Sequence, residues 1–125
     1  MTIRAVWDNE EHTTLCQVFQ GPWTLEEYYA SVDEMDVMLA SAKHPVDVIV
    51  DLTATHFAPR NLLTAMRYAD KKLKHYEGGR SVIITPSPII HSTMDLARKL
   101  GLKTAQSLFS ARTLQEGRSL LGKAS

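Results

Sequence analysis

The sequence contains a single cysteine, Cys16, so no disulfide can form within the chain. This excludes the disulfide-rich secreted scaffolds and favours a reducing compartment. Cys16 lies in an apolar stretch with Leu15, Val18 and Phe19. In such a stretch, a small buried hydrophobic side chain is the simplest interpretation of a cysteine.

Net charge is absent too, because 14 lysines and arginines balance 14 aspartates and glutamates. A general nucleic-acid binder needs an excess of positive charge, so this balance argues against nucleic acid as a partner. No apolar run approaches the roughly 18 residues of a membrane span, and no basic segment followed by an apolar run opens the chain. We therefore expect a cytoplasmic protein without membrane insertion.

Motifs that bind phosphate or carry a nucleophile are missing as well. The chain has neither of the glycine-rich phosphate-binding patterns GxGxxG and GxxxxGK[ST], and it has no GxSxG elbow. His, Cys and carboxylate residues do not recur at the spacing of a metal site. The sequence thus predicts no cofactor and no metal, and it offers no complete catalytic set, so an enzyme is not the expectation.

The chain does have an ordinary globular composition, with 44% hydrophobic and 22% charged residues among 125. That length fits a single domain, covering residues 1–125, with one hydrophobic core. Periodicity predicts five strands and four helices in the order ββαβαβαβα. The predicted strands are 3–7, 13–19, 46–52, 80–85 and 105–109, and the predicted helices are 25–42, 60–76, 88–100 and 114–121.

Local signals mark the ends of the predicted helices. The pattern Thr-x-x-Glu at residues 24–27, repeated at 113–116, is typical of a capping box at a helix start. Ser87 followed by a proline is typical of an N-cap with proline in the first turn. The glycine pair 78–79 and Gly101 are placed to end the second and third helices in left-handed caps.

The stretch 46–52 is the expected centre of the sheet. Five of its seven residues are apolar, which fits a parallel strand covered on both faces. The first two predicted strands flank a polar turn and read as a hairpin, so the first strand runs antiparallel to the rest. These patterns predict an α/β fold with a mostly parallel sheet of four to five strands.

In an open parallel sheet, ligands bind beyond the carboxyl ends of the strands. Here that edge consists of the loops 53–59, 85–88 and 110–113, with the turn 21–23 close by. Asp51, at the end of the central strand, is the most interesting acid. It either accepts hydrogen bonds from amides in residues 53–57 and so holds the turn, which is the simpler interpretation, or it has a binding or catalytic role.

Other side chains at this edge are candidates with the same ambiguity. Thr53 and Thr55 are most simply turn formers. His56 is either an exposed loop histidine or a base or ligand, and Ser87 is better read as a helix start than as a nucleophile. A second hypothesis brings Asp51, His56 and Ser87 together to bind a small molecule, such as a nucleotide, lipid or anion, or to form a hydrolase.

The first two predicted helices carry opposite charges. The helices either lie side by side and share surface ion pairs, which we favour, or form a self-complementary surface for a homodimer. The exposed charges are Glu26, Asp33, Glu34 and Asp36 on the first helix and Arg67, Lys71, Lys72 and Lys74 on the second.

The central strand ends in Asp51-Leu52-Thr53, and Phe57 and Leu63 follow at fixed distances. In this pattern and in its element order, the chain resembles the STAS domain, the fold of bacterial anti-sigma-factor antagonists. That family has Asp-Leu-small at the end of the central strand and a Phe-x-Asp-Ser-Ser-Gly-Leu segment at the start of the next helix. The Gly-Pro-Trp-Thr-Leu-Glu-Glu start of the first helix also resembles a divergent group of bacterial STAS-like proteins.

The resemblance implies a β-α superhelix that binds a protein partner, or a second copy of itself, at the loop before the second helix. The expected surface is residues 53–61, including Arg60 and Asn61, with the amino-terminal half of that helix and Trp23. Asn61 stands where the family has its phosphorylated serine and cannot be phosphorylated. We therefore expect a non-enzymatic regulatory module that does not use a phosphoserine at the family position.

Overall fold

The computed structural model describes residues 2–55, 59–73, 79–101 and 108–122, with the backbone alone for residues 59–62. Five strands form one sheet in the order β1-β2-β3-β4-β5. The strands are β1 Ile3–Trp7, β2 Thr14–Gln20, β3 Asp47–Ala54, β4 Ser81–Ile84 and β5 Leu108–Ala111, and the helices are α1 Leu25–Ser41, α2 Pro59–Lys72, α3 Pro88–Lys99 and α4 Leu114–Leu120.

The sheet has the predicted topology. β1 pairs with β2 antiparallel, whereas β2, β3, β4 and β5 pair in parallel. β3 is the middle strand, as its apolar run predicts, and Ile49 in it is completely buried. The predicted α/β fold and element order are therefore confirmed.

The helix starts follow from the local sequence. Thr24 accepts a hydrogen bond from the Glu27 amide (3.1 Å), and the Glu27 carboxylate accepts one from the Thr24 amide (3.2 Å), which completes the predicted capping box. Ser87 caps α3 with Pro88 in the first turn, and the Thr113 hydroxyl caps α4. Each cap satisfies an amide that has no partner within its helix.

Most predicted boundaries differ from the structure by one or two residues, and the largest differences are at the ends of α2 and of the last strand. α2 ends at Lys72 among the described residues. Its predicted last residue, Tyr76, and residue 78 of the glycine pair lie outside them, as do residues 105–107 of the predicted last strand. That strand extends to Ala111, two residues beyond its predicted end.

The spacing of Ile90, Met94, Ala97 and Leu100 predicts that all four face the core. Leu100 is instead 52% exposed, because α3 ends at Lys99 and the chain turns at Gly101 (φ 76°).

The two faces of the sheet are covered unequally. Helices α1, α2 and α3 cover one face over a large cluster that includes Phe19 and Leu52. The other face, here called the α4 face, is covered among the described residues by the short helix α4, which lies over Cys16, Ile49 and Ile84. Near the first strand, side chains on the α4 face stay open to solvent, as the exposure of Val6 indicates.

A glycine allows α4 to approach the sheet closely. Gly117 is buried, and a Cβ atom at this position would collide with the Cδ1 atom of Ile84 and lie 3.4 Å from Cγ1 of Val82. Both neighbours are fully buried in β4, so the missing side chain sets the distance between helix and sheet. Within the part of the chain that the structure describes, no helix is both long and apolar enough to cross a bilayer.

Candidate functional site

The loops that follow β2 and β3 are hydrogen-bonded to each other at the carboxyl edge of the sheet. The Gly21 amide donates to the Ala54 carbonyl (2.9 Å), and the Thr55 hydroxyl donates to the Gly21 carbonyl (2.6 Å). Gly21 has a φ of 63°, a left-handed conformation that glycine adopts without strain. Residues 21–23 and 53–55 thus form one continuous surface, which we call the edge surface.

Asp51 is engaged by its own turn. Its Oδ1 atom accepts hydrogen bonds from the Thr53 amide (3.0 Å) and from the Thr53 hydroxyl (2.7 Å). This is an Asx-type turn, in which a short carboxylate replaces a backbone acceptor. The geometry agrees with the simpler interpretation, since these hydrogen bonds of Asp51 hold the start of the loop. The side chain is half-buried and lies on the α4 face, two residues beyond Ile49.

Trp23 connects the edge surface to the core. Its ring packs edge-on against Phe19, with centroids 5.4 Å apart, and lies 6.0 Å from the ring of Tyr28. Tyr28 is buried, and its hydroxyl donates to the Ala65 carbonyl of α2 (2.8 Å); burial raises the pKa of this phenol. Aromatic packing therefore fixes the half-exposed Trp23 beside the first residues of α1.

Ser87 is used as a helix cap. Its hydroxyl accepts a hydrogen bond from the Ile90 amide (3.4 Å), and its own amide donates to the Thr85 hydroxyl (3.2 Å). A ring nitrogen of His91, Nε2, lies 3.0 Å from the Thr85 carbonyl. No signal in the sequence marks His91, because nothing in the local pattern indicates that its ring turns back to the strand end.

The remaining predicted site residues lie in or before the first turn of α2. Arg60 and Asn61 belong to the helix that begins at Pro59, which places their backbone next to the edge surface in the chain. His56 lies outside the described residues. The hydrogen bonds of Asp51 and Ser87 stay within their own turns, so their convergence with His56 on a substrate stays a prediction.

A charged pair on the α4 face has no signal in the sequence. Arg118 of α4 makes two hydrogen bonds to Asp8, from Nε to Oδ2 (3.0 Å) and from an Nη atom to Oδ1 (2.8 Å). The two residues are 110 positions apart, and only the folded arrangement of β1 and α4 brings them together. This bidentate pair joins the end of β1 to α4 above the buried thiol of Cys16.

Asp33 makes polar contacts between the oppositely charged helices. Its carboxylate accepts a hydrogen bond from the Tyr68 hydroxyl (3.0 Å) and lies 3.5 Å from the Lys72 ammonium. Helices α1 and α2 thus lie side by side and share an exposed ion pair, the first of the two arrangements considered from the sequence. Such a pair contributes about 0–1 kcal/mol.

The candidate side chains at the carboxyl edge of the sheet are engaged in local hydrogen bonds. Among the residues that the structure describes, no three His, Cys, Asp or Glu side chains are grouped as a metal ion would require. Asp51, Ser87 and Thr55 make hydrogen bonds that shape loops and a helix start. The arrangement can present hydroxyl groups, an indole and backbone amides to a partner.

Comparison with solved structures shows the fold independently. The chain is similar to the structure described as "The Structure of an Anti-sigma-factor antagonist (STAS) domain protein from Planctomyces limnophilus". The superposition covers 98% of this chain and 97% of that chain with a TM-score of 0.63, at 17% sequence identity. The chain thus has the STAS fold. No protein-family model matches the sequence, and no curated protein is similar to it.

Proposed function

We propose that this protein is a non-enzymatic regulatory module that binds a protein partner through the edge surface and the amino-terminal half of α2. The observation that carries the proposal is the pair of hydrogen bonds between the loops after β2 and β3. They place Trp23 and Thr53 on one continuous surface immediately before α2. The STAS fold of the chain supports the same placement.

The chemistry of the surface favours a protein as the ligand. A half-exposed tryptophan supported by packed aromatic rings is a typical anchor in protein interfaces. The polar groups around it are threonine hydroxyls, which suit hydrogen bonding across an interface. Asp51 and Ser87 serve their own turns, which leaves the edge without an activated nucleophile among the described side chains.

The charge of α2 indicates the complementary partner. The helix carries Arg60, Arg67, Lys71 and Lys72 against the single acid Asp70, and its first turn has no acidic residue. Where STAS domains have Asp-Ser-Ser, with the second serine phosphorylated, this chain has Pro59-Arg60-Asn61. The partner surface is therefore acidic, and its association is constant rather than controlled by phosphorylation at position 61.

A pull-down from a bacterial lysate tests this surface. The variant Arg60→Glu/Asn61→Lys should lose a protein that the wild type retains, because it reverses the charge at position 60. Lys43→Glu/His44→Lys is the matched control, since both residues are exposed beyond the end of α1 and the net charge change is the same. Equal recovery of the partner by the wild type and the Arg60→Glu/Asn61→Lys variant would refute the surface.

A second copy of the chain is an alternative partner, because acidic α1 could meet basic α2 of another molecule. Sedimentation of the purified protein at low and high salt separates the two cases. A mass that falls from dimer to monomer as salt rises would identify self-association. A constant monomer mass would leave a different protein as the partner.

A further inference from the structure

A cavity that is partly open to solvent lies beneath the helices, on the side of the sheet opposite α4. Its volume is about 80 Å³. The floor is formed by β2, β3 and β4, and the roof by α1 and α2. Its lining is mostly apolar and includes Val32, Met35, Val50 and Met66. The cavity is separate from the edge surface, so a ligand bound in it would not occupy the surface of the proposed function.

A polar side chain interrupts this apolar wall. Gln17 lines the cavity and is 3% exposed. Its Nε2 atom donates to the hydroxyl of Ser31 in α1 (3.1 Å). A primary amide carries two protons and a carbonyl with two lone pairs, so this bond uses only part of its hydrogen-bonding capacity. Placing such a group in the middle of a strand is costly unless something bonds to it.

The size and chemistry of the cavity define what it would hold. A cavity of about 150 Å³ accommodates benzene, so one of 80 Å³ suits about three or four non-hydrogen atoms. Ordered water needs two to four polar neighbours, and this lining is too apolar to supply them for several water molecules. The two methionines in the wall can change rotamer to fit an irregular shape.

Charge narrows the ligand class further. Among the described residues that line the cavity, none is Asp, Glu, Lys, Arg or His. A carboxylate or ammonium group would therefore be buried without a counter-charge, which is strongly unfavourable. We propose that the cavity is a binding site for a short neutral aliphatic molecule with one hydroxyl or carbonyl group, which bonds to the Gln17 amide.

Methyl-resolved NMR of the full chain tests the proposal with two probes, xenon and 1-propanol. Both should produce saturable shifts in the methyl groups of Val32, Val50 and Ile83, which line the cavity. The methyl groups of Ile49 and Val82 are equally buried but lie on the α4 face, so they should not move. Shifts of equal size on both faces, or no saturation, would overturn the site.

Variants that fill the cavity test whether the probes bind inside it. Ala69→Met fills the cavity from α2 and should abolish the shifts, whereas Ala40→Met, on the exposed side of α1, should leave them unchanged. Should Ala69→Met disturb the spectrum as a whole, Val50→Ile adds a smaller group to the same space and should weaken both probes. Wild-type shifts in either folded filling variant would contradict the location.

The polar contact has its own test. Gln17→Met keeps a side chain of similar length and removes the amide. It should raise the Kd of 1-propanol about tenfold, the equivalent of one lost hydrogen bond, and should leave xenon binding unchanged. If both probes respond alike, Gln17 does not recognise the ligand and the proposed ligand class is wrong.

Discussion

The thiol of Cys16 should be almost inert in the folded protein. It is 5% exposed, and its neighbours Ile49 and Val82 are completely buried on the same face. Burial, assisted by the carboxylates of Asp8 and Asp51, raises the pKa of the thiol from an ordinary 9.0 to about 12. Because the thiolate is the reactive form, both burial and the raised pKa slow its alkylation.

The magnitude follows from the two pKa values. At pH 8 a thiol with a pKa of 9.0 is about one-tenth ionised, whereas one with a pKa of about 12 is ionised in about one molecule in ten thousand. Reaction with iodoacetamide should therefore be about a thousandfold slower than in the unfolded chain, before any steric protection is counted. The assay is alkylation followed by mass spectrometry, with urea-unfolded protein as the reference.

The pH dependence shows which species reacts. Reaction through the folded thiolate accelerates about tenfold for each pH unit up to the raised pKa near 12. Reaction through transient unfolding, with rapid reclosing, follows the ordinary thiol and levels off above pH 9 if opening itself is constant with pH. A folded-state rate within tenfold of the unfolded reference at pH 8 would refute the burial of Cys16 and the raised pKa together.

The same raised pKa affects stability at high pH. A thiol that is harder to ionise when folded contributes stability below pH 9, and this contribution is lost as the pH rises toward 12. Between pH 8 and pH 10 the loss amounts to about 1 kcal/mol. Urea unfolding of the wild type and of Cys16→Ala isolates this part, because the variant retains all other titrating groups; an identical pH dependence in both proteins would contradict it.

Substitutions at three sites, Gly117, Thr24 and Asp51, test the local geometry by urea unfolding. Gly117→Ala should lower the free energy of unfolding by about 1 kcal/mol, because overpacking against Ile84 outweighs the gain in helix propensity. The control Ser119→Ala, at an exposed position of the same helix, should leave the free energy of unfolding unchanged. A Gly117→Ala variant that is more stable than the wild type would contradict the close approach. Thr24→Ala removes the side-chain acceptor for the Glu27 amide and should cost about 1 kcal/mol. An unchanged value would indicate that the cap is unimportant. Asp51→Asn keeps the acceptor of the turn and should change the free energy of unfolding by less than about 0.5 kcal/mol. Asp51→Ala removes the acceptor and should cost about 1 kcal/mol. Equal stability of the two variants would show that the turn does not need the acceptor.

Features that depend on neighbouring residues were predictable from the sequence. The capping box at Thr24, the N-cap at Ser87 and the parallel centre of the sheet follow from patterns within one element. In α3 the apolar spacing predicts the buried residues Ile90, Met94 and Ala97 correctly, but it fails at Leu100, where continued periodicity places the residue in the core. The helix had already ended, and the backbone reverses at Gly101, so the spacing of apolar residues no longer describes a face.

Features that depend on contacts between distant parts of the chain were not predictable from the sequence. Asp8 and Arg118 meet only because β1 and α4 border the same face, and neither residue has a local pattern that marks it. The hydrogen bond from Thr55 to Gly21 likewise joins loops that are 34 residues apart. In the candidate site, the turn role of Asp51 was expected from its position, whereas the continuous surface around it required the three-dimensional arrangement.

On the proposed function, the residues at the start of α2 lead to a prediction about regulation. A phosphoserine near a helix start adds negative charge where the helix dipole favours it, so it can switch a surface between two charge states. Asn61 removes that possibility, and Arg60 adds a fixed positive charge in the first turn of α2. Binding to an acidic partner should therefore weaken steadily as salt is raised, because the exposed charges are screened. Titration calorimetry with a partner recovered by pull-down measures this dependence, and Arg60→Gln should reduce its slope, whereas Lys43→Gln at the opposite end of the domain should leave it unchanged. An affinity that is independent of salt would refute the role of α2 charge in recognition.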